Sequence, residues 1–286
     1  MPTLLRSGLR IDYADAGDGA PVLLLHSSVC GNRQWRKLIA RLSRRHRVIA
    51  PNLLGYGGTT PWHGERAQTL ADAAQVVMEL IDALQLDAPL RIVGHSFGGA
   101  VAMRAAHALG ARVAQLALYE PMLPGLLAAH GRFEAANQTA ALYTDVKRLG
   151  AAGEWMALGE RFTDYFNGDG AWQASPPERR QTIAELLPPN PHEWDACIAP
   201  LRASAFDGIR AQGLLMRGRQ TRPPLAEMTA LLHRRFQHWR LIDVAGCGHM
   251  APLTHADEIN RWIEEFLGGG DVPRLTHGNE AAATCA

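Results

Sequence analysis

Residues 90–101, LRIVGHSFGGAV, constrain the fold of this chain more than any other stretch. Leu90–Val93 is a short apolar run that reads as a buried strand, and Phe97–Leu109 reads as a helix rich in Ala and Gly. Between them lies Gly94-His95-Ser96-Phe97-Gly98, a G-x-S-x-G pattern. A strand passes into a helix over so few residues only through a tight turn, so the positions two before and two after the serine must lack bulk. Such a turn throws the serine hydroxyl clear of the strand's C-terminal edge. The helix N-terminus beneath it offers free N–H groups to any negative charge that forms there. The bare pattern is commonplace in a chain with 28 glycines. With strand and helix in place, it marks Ser96 as a candidate nucleophile.

The rest of the chain repeats this alternation of short apolar runs and longer helical patterns, as a parallel sheet covered by helices requires. An opening hairpin turns at Ser7-Gly8. It is followed by strands at Val22–His26 and Arg47–Pro51, with a helix over about 31–42 between them. A long amphipathic helix runs from Thr69 to Leu86, and Thr69 with Asp72 supplies a capping-box start. Val113–Tyr119 is the next strand.

After Pro121 the rhythm changes. From about Gly125 to Phe206 the strands vanish, and this segment holds nine of the chain's 19 aromatic residues. The alternation resumes with a strand at Gly213–Met216, a helix near Pro224–Arg235, a strand at Arg240–Val244 and a final helix near His255–Leu267. The expected organisation is one α/β core from residues 1–124 and 207–267, interrupted by a helical lid at 125–206. A small, polar tail at 268–286 is expected to be disordered.

Composition narrows the classes of function. The 29 basic and 28 acidic residues leave no excess for neutralising phosphates, so a nucleic-acid partner is not expected. No run approaches the length needed to span a bilayer, and the start MPTLLRSGLR lacks the apolar core of a secretory signal. Cys30, Cys197, Cys247 and Cys285 are far apart, with neither metal-ligand spacing nor the density of a disulfide framework. The expectation is a cytoplasmic protein with no metal and no cofactor.

A serine hydroxyl needs a base within hydrogen-bond reach. Of twelve histidines, His249 stands apart: it follows the apolar run Leu241–Val244 in the loop AGCGHMAP, just before the last helix. That places it at the C-terminal edge of the last strand, where ligand sites of open parallel sheets gather. His95, beside the serine, reads as a packing and hydrogen-bonding residue. His26 reads as a brace for the loop after its strand.

Four blocks in order, LLLHSSVCGNRQW (23–35), PNLLGYGGT (51–59), GHSFGGAVAMRAA (94–106) and GCGHMAPLTHADEINRWIEEFL (246–267), resemble the α/β-hydrolase fold superfamily, in its group of capped esterase-like members. The resemblance spans about residues 10–267. It implies an α/β fold with a mostly parallel eight-stranded sheet flanked by helices, and a helical cap inserted after strand six. It also implies an oxyanion hole made by the backbone N–H groups of Phe97, next to the serine, and Ser28, two residues beyond the strand-end His26. Such donors are worth roughly 3–4 kcal/mol each when they face charge developing in the transition state.

The sequence departs from the family pattern in three places. Ser27 stands where a glycine is usual, Asn52 where an aspartate is usual, and Thr221 where the family's common acid sits. A hydroxyl cannot stabilise an imidazolium as a carboxylate does, and neutralising that acid costs a serine protease about ten-thousand-fold in turnover. Glu120, ending the strand run LALYEP, lies at the same sheet edge as Ser96 and His249, and some family members place their acid there. It is the expected replacement, against the bland reading that it anchors the hinge before Pro121. Glu227 and Asp243 are weaker alternatives.

A serine nucleophile argues against the branches that pass through an alkyl ester of aspartate. The expected activity is hydrolysis of a carboxylic ester with a hydrophobic acyl or alcohol part through a Ser96–His249–Glu120 triad. Cleavage of a thioester, lactone or C–C bond, or acyl transfer, is the second reading. A ligand-binding member without turnover is the third. The expected partner is a small, hydrophobic, ester-type substrate.

Overall fold

The computed structural model describes residues 2–269. Among them, eight strands form one sheet: β1 (Thr3–Arg6), β2 (Leu9–Ala16), β3 (Ala20–Leu25), β4 (His46–Pro51), β5 (Leu90–His95), β6 (Val113–Tyr119), β7 (Gln212–Gly218) and β8 (Arg240–Val244). They lie in the order β1-β2-β4-β3-β5-β6-β7-β8. The pairings β1–β2 and β2–β4 are antiparallel, and every other pairing is parallel.

The central strands are nearly continuous apolar runs, because a parallel sheet is covered on both faces. Helices α2 (Leu70–Ala83), α3 (Phe97–Leu109) and α9 (Pro223–Arg235) pack in one core, around Leu23, Leu25, Ile92 and Leu116. Helices α1 (Arg36–Leu42) and α11 (Ala256–Leu267), the latter following the short α10 (Ala251–Thr254), pack in the other, around Val22, Leu24, Val93 and Met216. In α11, Ile259, Ile263, Phe266 and Leu267 recur with helical spacing and are all buried. Each such side chain contributes about 1.5–3 kcal/mol by leaving water.

Thr69 caps α2 as expected, with its hydroxyl accepting from the Asp72 N–H and the Asp72 side chain returning the bond. The expected helix over 31–42 is instead a 3-10 turn at Asn32–Trp35 leading into α1. Gly31 before it has φ 66°, outside the helical region.

Chain order and sheet order together place the site. The chain runs from β3 outward to β4, then crosses back to lay β5 on the other side of β3. The loops leaving β3 and β5 therefore diverge, and a crevice opens at their carboxyl ends. Between β6 and β7 the chain forms α4 (Gly125–Ala129), α5 (Phe133–Ala152), α6 (Trp155–Asn167), α7 (Pro177–Leu186), α8 (Asn190–Ile198) and a 3-10 turn at Ala203–Phe206. Among the described residues this segment holds no strand, as its loss of alternation suggested. No helix of the described residues is long and apolar enough to cross a membrane. The tail expected to be disordered lies, from residue 270 on, outside the described residues.

Candidate active site

Four strand ends and the loop after β3 meet at the crevice. Ser96 ends the short turn from β5 into α3, with φ 53° and ψ −120°. That backbone conformation is costly for a residue with a side chain, about 1–3 kcal/mol. The surrounding glycines make it possible. A Cβ on Gly94 would lie 2.7 Å from the Gly98 carbonyl oxygen, and one on Gly98 would strike the Leu25 and His26 carbonyls. The turn is tied to β6 as well: the Ser96 N–H donates to the Tyr119 carbonyl at 3.1 Å, and the Met122 N–H to the Ser96 carbonyl at 3.0 Å.

The Ser96 hydroxyl lies 2.9 Å from His249 Nε2. On the other side of that ring, Nδ1 lies 2.7 Å from Oε2 of Glu120. The three residues that the sequence singled out from far apart in the chain thus form one hydrogen-bonded row. They are all buried, with Ser96 5%, His249 3% and Glu120 0% exposed.

Each member of the row is held from behind. Glu120 has φ 40°, and its N–H donates to the Met216 carbonyl at 3.0 Å, which turns the side chain off the end of β6. Its Oε1 accepts from the Gly218 N–H at 2.7 Å, and its Oε2 accepts from the Thr221 hydroxyl at 2.8 Å as well as from His249. Thr221, the position where the sequence lacks an expected acid, thus donates its hydroxyl to the Glu120 carboxylate. The other two candidates point elsewhere. Asp243 pairs with Arg217 at 2.6 Å, and Glu227 lies 3.6 Å from Arg132.

The loop carrying His249 is pinned by two bonds: Tyr119 Oη donates to the Gly248 carbonyl at 2.7 Å, and His95 Nε2 to the His249 carbonyl at 2.9 Å. Phe166 of α6 stacks on the His249 ring, with centroids 4.8 Å apart. His95 takes its other bond from Gln34 Nε2 at 3.1 Å, and burial holds it well below the ordinary histidine range. It is the packing and hydrogen-bonding residue that the sequence suggested. His26 reaches further than expected. Nδ1 bonds the Ser27 carbonyl at 2.7 Å, while Nε2 accepts from the Leu53 N–H at 2.9 Å, so it joins the loop after β3 to the loop after β4. Burial lowers its pKa to about 4.

Three consecutive amides after His26 have different fates. The Ser27 N–H donates to Gln34 Oε1 at 2.9 Å, and the Val29 N–H to Tyr56 Oη at 2.9 Å. The Ser28 N–H between them makes no hydrogen bond among the described residues, and neither does that of Phe97 at the start of α3. Val29 has φ 60°, rare for a β-branched side chain. The usual aspartate of the next block is answered here by Asn52, which accepts from the Asn32 N–H at 2.8 Å and donates to Asp12 at 3.0 Å. It braces the loop and stays outside the row.

Ser96, Phe97 and Ser28 form one wall of a narrow recess, lined further by Met122, Phe162, Phe166, Glu193, Trp194 and Cys197. Every residue after Met122 in that wall comes from the helices between β6 and β7. A larger cleft adjoins it, sharing Ser28 and Phe162 and lined further by Arg179, Ile183, Met250 and Leu253. Among the described residues, no group of three or more His, Cys, Asp or Glu is arranged to hold a metal ion.

Glu193 escaped sequence reading. Burial raises its pKa to about 7, while the Ser28, Asn190 and Tyr56 side chains draw it back. A signal was present: Asn190, Glu193, Trp194 and Cys197 recur at i, i+3, i+4 and i+7 and are all buried, so an acid stands on the inward face of α8.

A mostly parallel sheet with a G-x-S-x-G elbow and a buried Ser-His-acid row defines a class of hydrolases. Residues 22–262 match the model of the alpha/beta hydrolase family, and the chain belongs to that family. It is 27% identical over 275 residues to the 2-hydroxy-6-oxo-2,4-heptadienoate hydrolase of Pseudomonas putida, covering 94% of this chain and 96% of that one. The 2-hydroxymuconate semialdehyde hydrolase of Pseudomonas sp. strain CF600 is 25% identical over 287 residues, or 96% and 95% of the two chains. The enol-lactonase of Burkholderia xenovorans LB400 shares the fold with a TM-score of 0.76 at 17% identity, over 93% of this chain and all of that one.

Proposed function

We propose that this hydrolase attacks the acyl carbonyl of a small, neutral ester or lactone through Ser96. The observation that carries the reading is the unbroken row Ser96–His249–Glu120 beside the two unpaired amides of Ser28 and Phe97. His249 Nε2 takes the proton of Ser96 as its oxygen adds to the carbonyl, and the two N–H groups bind the oxyanion. Glu120 holds the ring in the tautomer with the proton on Nδ1 and stabilises the imidazolium that forms. His249 then protonates the leaving oxygen. Water, activated by the same ring, releases the acid and restores Ser96.

The lining of the recess supports an apolar acyl group, because Met122, Phe162, Phe166 and Trp194 give it an apolar and aromatic wall. We read residues 125–206 as a lid over a core of 1–124 and 207–267, since its helices supply most of that wall.

A second reading rests on the full-length relatives. A 2-hydroxy-6-oxo-dienoate has no ester, so its hydrolysis breaks a C–C bond beside the ketone, and its carboxylate calls for a cation. The recess presents Glu193 and no cation, which favours neutral substrates. Beside the relatives, Arg179 in the adjoining cleft favours the dienoate. Initial rates on 4-nitrophenyl esters from acetate to octanoate, on lactones of matched size and on a 6-oxo-dienoate separate the two. The proposal expects the short esters and lactones to have the highest kcat/KM. A dienoate turned over faster than all of them would establish C–C cleavage instead.

A further inference from the structure

A carboxyl group outside the row described above lines the recess, and the row makes no use of it. Glu193 is 2% exposed and lines the wall that also holds Ser96, Phe97 and Ser28. Its Oε2 accepts from Asn190 Nδ2 at 3.1 Å, but its Oε1 is buried and has no partner among the described residues. Asn190 Oδ1, beside it, is buried and unpartnered too. The Tyr56 hydroxyl, which accepts the Val29 N–H, and the Ser28 side chain lie close enough to lower the pKa of Glu193, yet neither makes a hydrogen bond to Oε1. Buried polar atoms are nearly always paired, so an orphan acceptor in the wall of a reaction recess points to a partner that arrives with the ligand.

The chemistry of that partner follows from what is near. Both orphan atoms are hydrogen-bond acceptors, no cation lines the recess, and the remaining wall is Met122, aromatic rings and Cys197. A carboxylate on the substrate would meet another carboxyl in an apolar setting, which disfavours it. A hydroxyl or N–H donor would satisfy Oε1. Resting on the serine-hydrolase reading above, we infer that Glu193 selects acyl substrates carrying a neutral hydrogen-bond donor, a hydroxyl or an N–H, close to the scissile carbonyl. It is thus a specificity-determining residue, set across the recess from the nucleophile. Burial weakens its charge near neutral pH, so the pairing does not depend on a fully ionised group. The ionisable side chains that act on it come from other elements and from its own helix: Tyr56 after β4, Cys30 after β3 and Cys197 on α8.

The test compares 4-nitrophenyl 3-hydroxybutyrate with 4-nitrophenyl butyrate, a pair that differs by one hydroxyl, on the full chain and on Glu193→Met and Glu193→Gln. The wild type is expected to prefer the hydroxy ester by about tenfold or more in kcat/KM, as a hydrogen bond to a charged or partly charged group implies. Glu193→Met should bring the ratio close to one. Glu193→Gln, which keeps an acceptor oxygen in place, should retain most of it. A wild-type ratio near one, or a ratio that Glu193→Met leaves unchanged while both rates fall together, overturns the assignment. A fluorophosphonate probe run on the same preparations separates the two levels of failure. Ser96 labelled with the ratio unmoved rejects the role of Glu193 alone. Ser96 unlabelled rejects the serine-hydrolase reading on which it stands.

Discussion

Two buried glutamates lie around Ser96, Glu120 behind His249 and Glu193 in the wall of the recess, and they are built in opposite ways. Glu120, at the end of β6, has both carboxyl oxygens bound, by the Gly218 amide, the Thr221 hydroxyl and His249. Glu193, on α8, has one oxygen bound by Asn190 and one left without a partner. The first is anchored to the sheet and aimed at the ring that becomes charged in the proposed mechanism. The second sits on a helix between β6 and β7, near the Ser28 and Tyr56 hydroxyls but with one oxygen left unbonded. On the proposed roles, the carboxyl that completes the machinery is saturated by the protein itself, whereas the one that reads a ligand keeps an oxygen free.

The largest effect should come from breaking the saturated side. Glu120→Gln keeps the shape but removes the charge that supports the imidazolium, and kcat is expected to fall by about 10³–10⁴-fold. Steady-state rates on a short nitrophenyl ester measure it. A variant within tenfold of the wild type would leave Glu120 as a hinge anchor.

The other side should show itself in stability before activity. Burial raises the pKa of Glu193 from its ordinary 4.5 to about 7, so the folded protein holds this proton more tightly than the unfolded chain does. Stability attributable to this group is therefore highest below pH 4.5 and falls as pH rises towards 7, by about 3 kcal/mol at most. Glu193→Gln, which cannot ionise, should become more stable relative to the wild type over that window and keep the advantage above it. Urea unfolding at pH 5 and pH 8 gives the two differences, and equal values would contradict a buried, weakened acid.

Smaller changes sharpen the contrast within the saturated site. Thr221→Ala removes one of three donors to Glu120 and leaves the charge, so kcat should drop only about three- to tenfold. Phe166→Leu, which takes away the ring stacked on His249, should cost less, about two- to fivefold. If Thr221→Ala matched Glu120→Gln, the hydroxyl would carry more of the support than a single hydrogen bond supplies.

What the sequence made legible has a physical pattern. Ser96 was readable because the elbow is a local event: Gly94 and Gly98 sit where a Cβ would collide, and the strand and helix adjoin. The strands at 113–119 and 240–244 were readable because continuous apolar runs have no other place in a parallel sheet, and their ends brought Glu120 and His249 to the right edge. Thr221 stood out only as a missing acid. Its part as a donor to Glu120 depends on a crossing between β6 and β7 that no local signal reports. Glu193 was hidden for a related reason. Its inward position follows from the period of α8, but what it faces is set by how that helix packs over the crevice. Likewise, the free amide of Ser28 is known only once Gln34 and Tyr56 are seen to occupy its neighbours.

The central claim, that Ser96 is made nucleophilic by His249 on a carboxylate supplied by Glu120, is tested most directly by the rate of fluorophosphonate labelling. Wild type and Glu120→Gln would be compared at neutral pH, with the modified peptide mapped by mass spectrometry. The adduct is expected on Ser96, forming at least a hundredfold faster in the wild type than in Glu120→Gln. Equal labelling rates in the two proteins, or ester turnover with Ser96 unmodified, would contradict it.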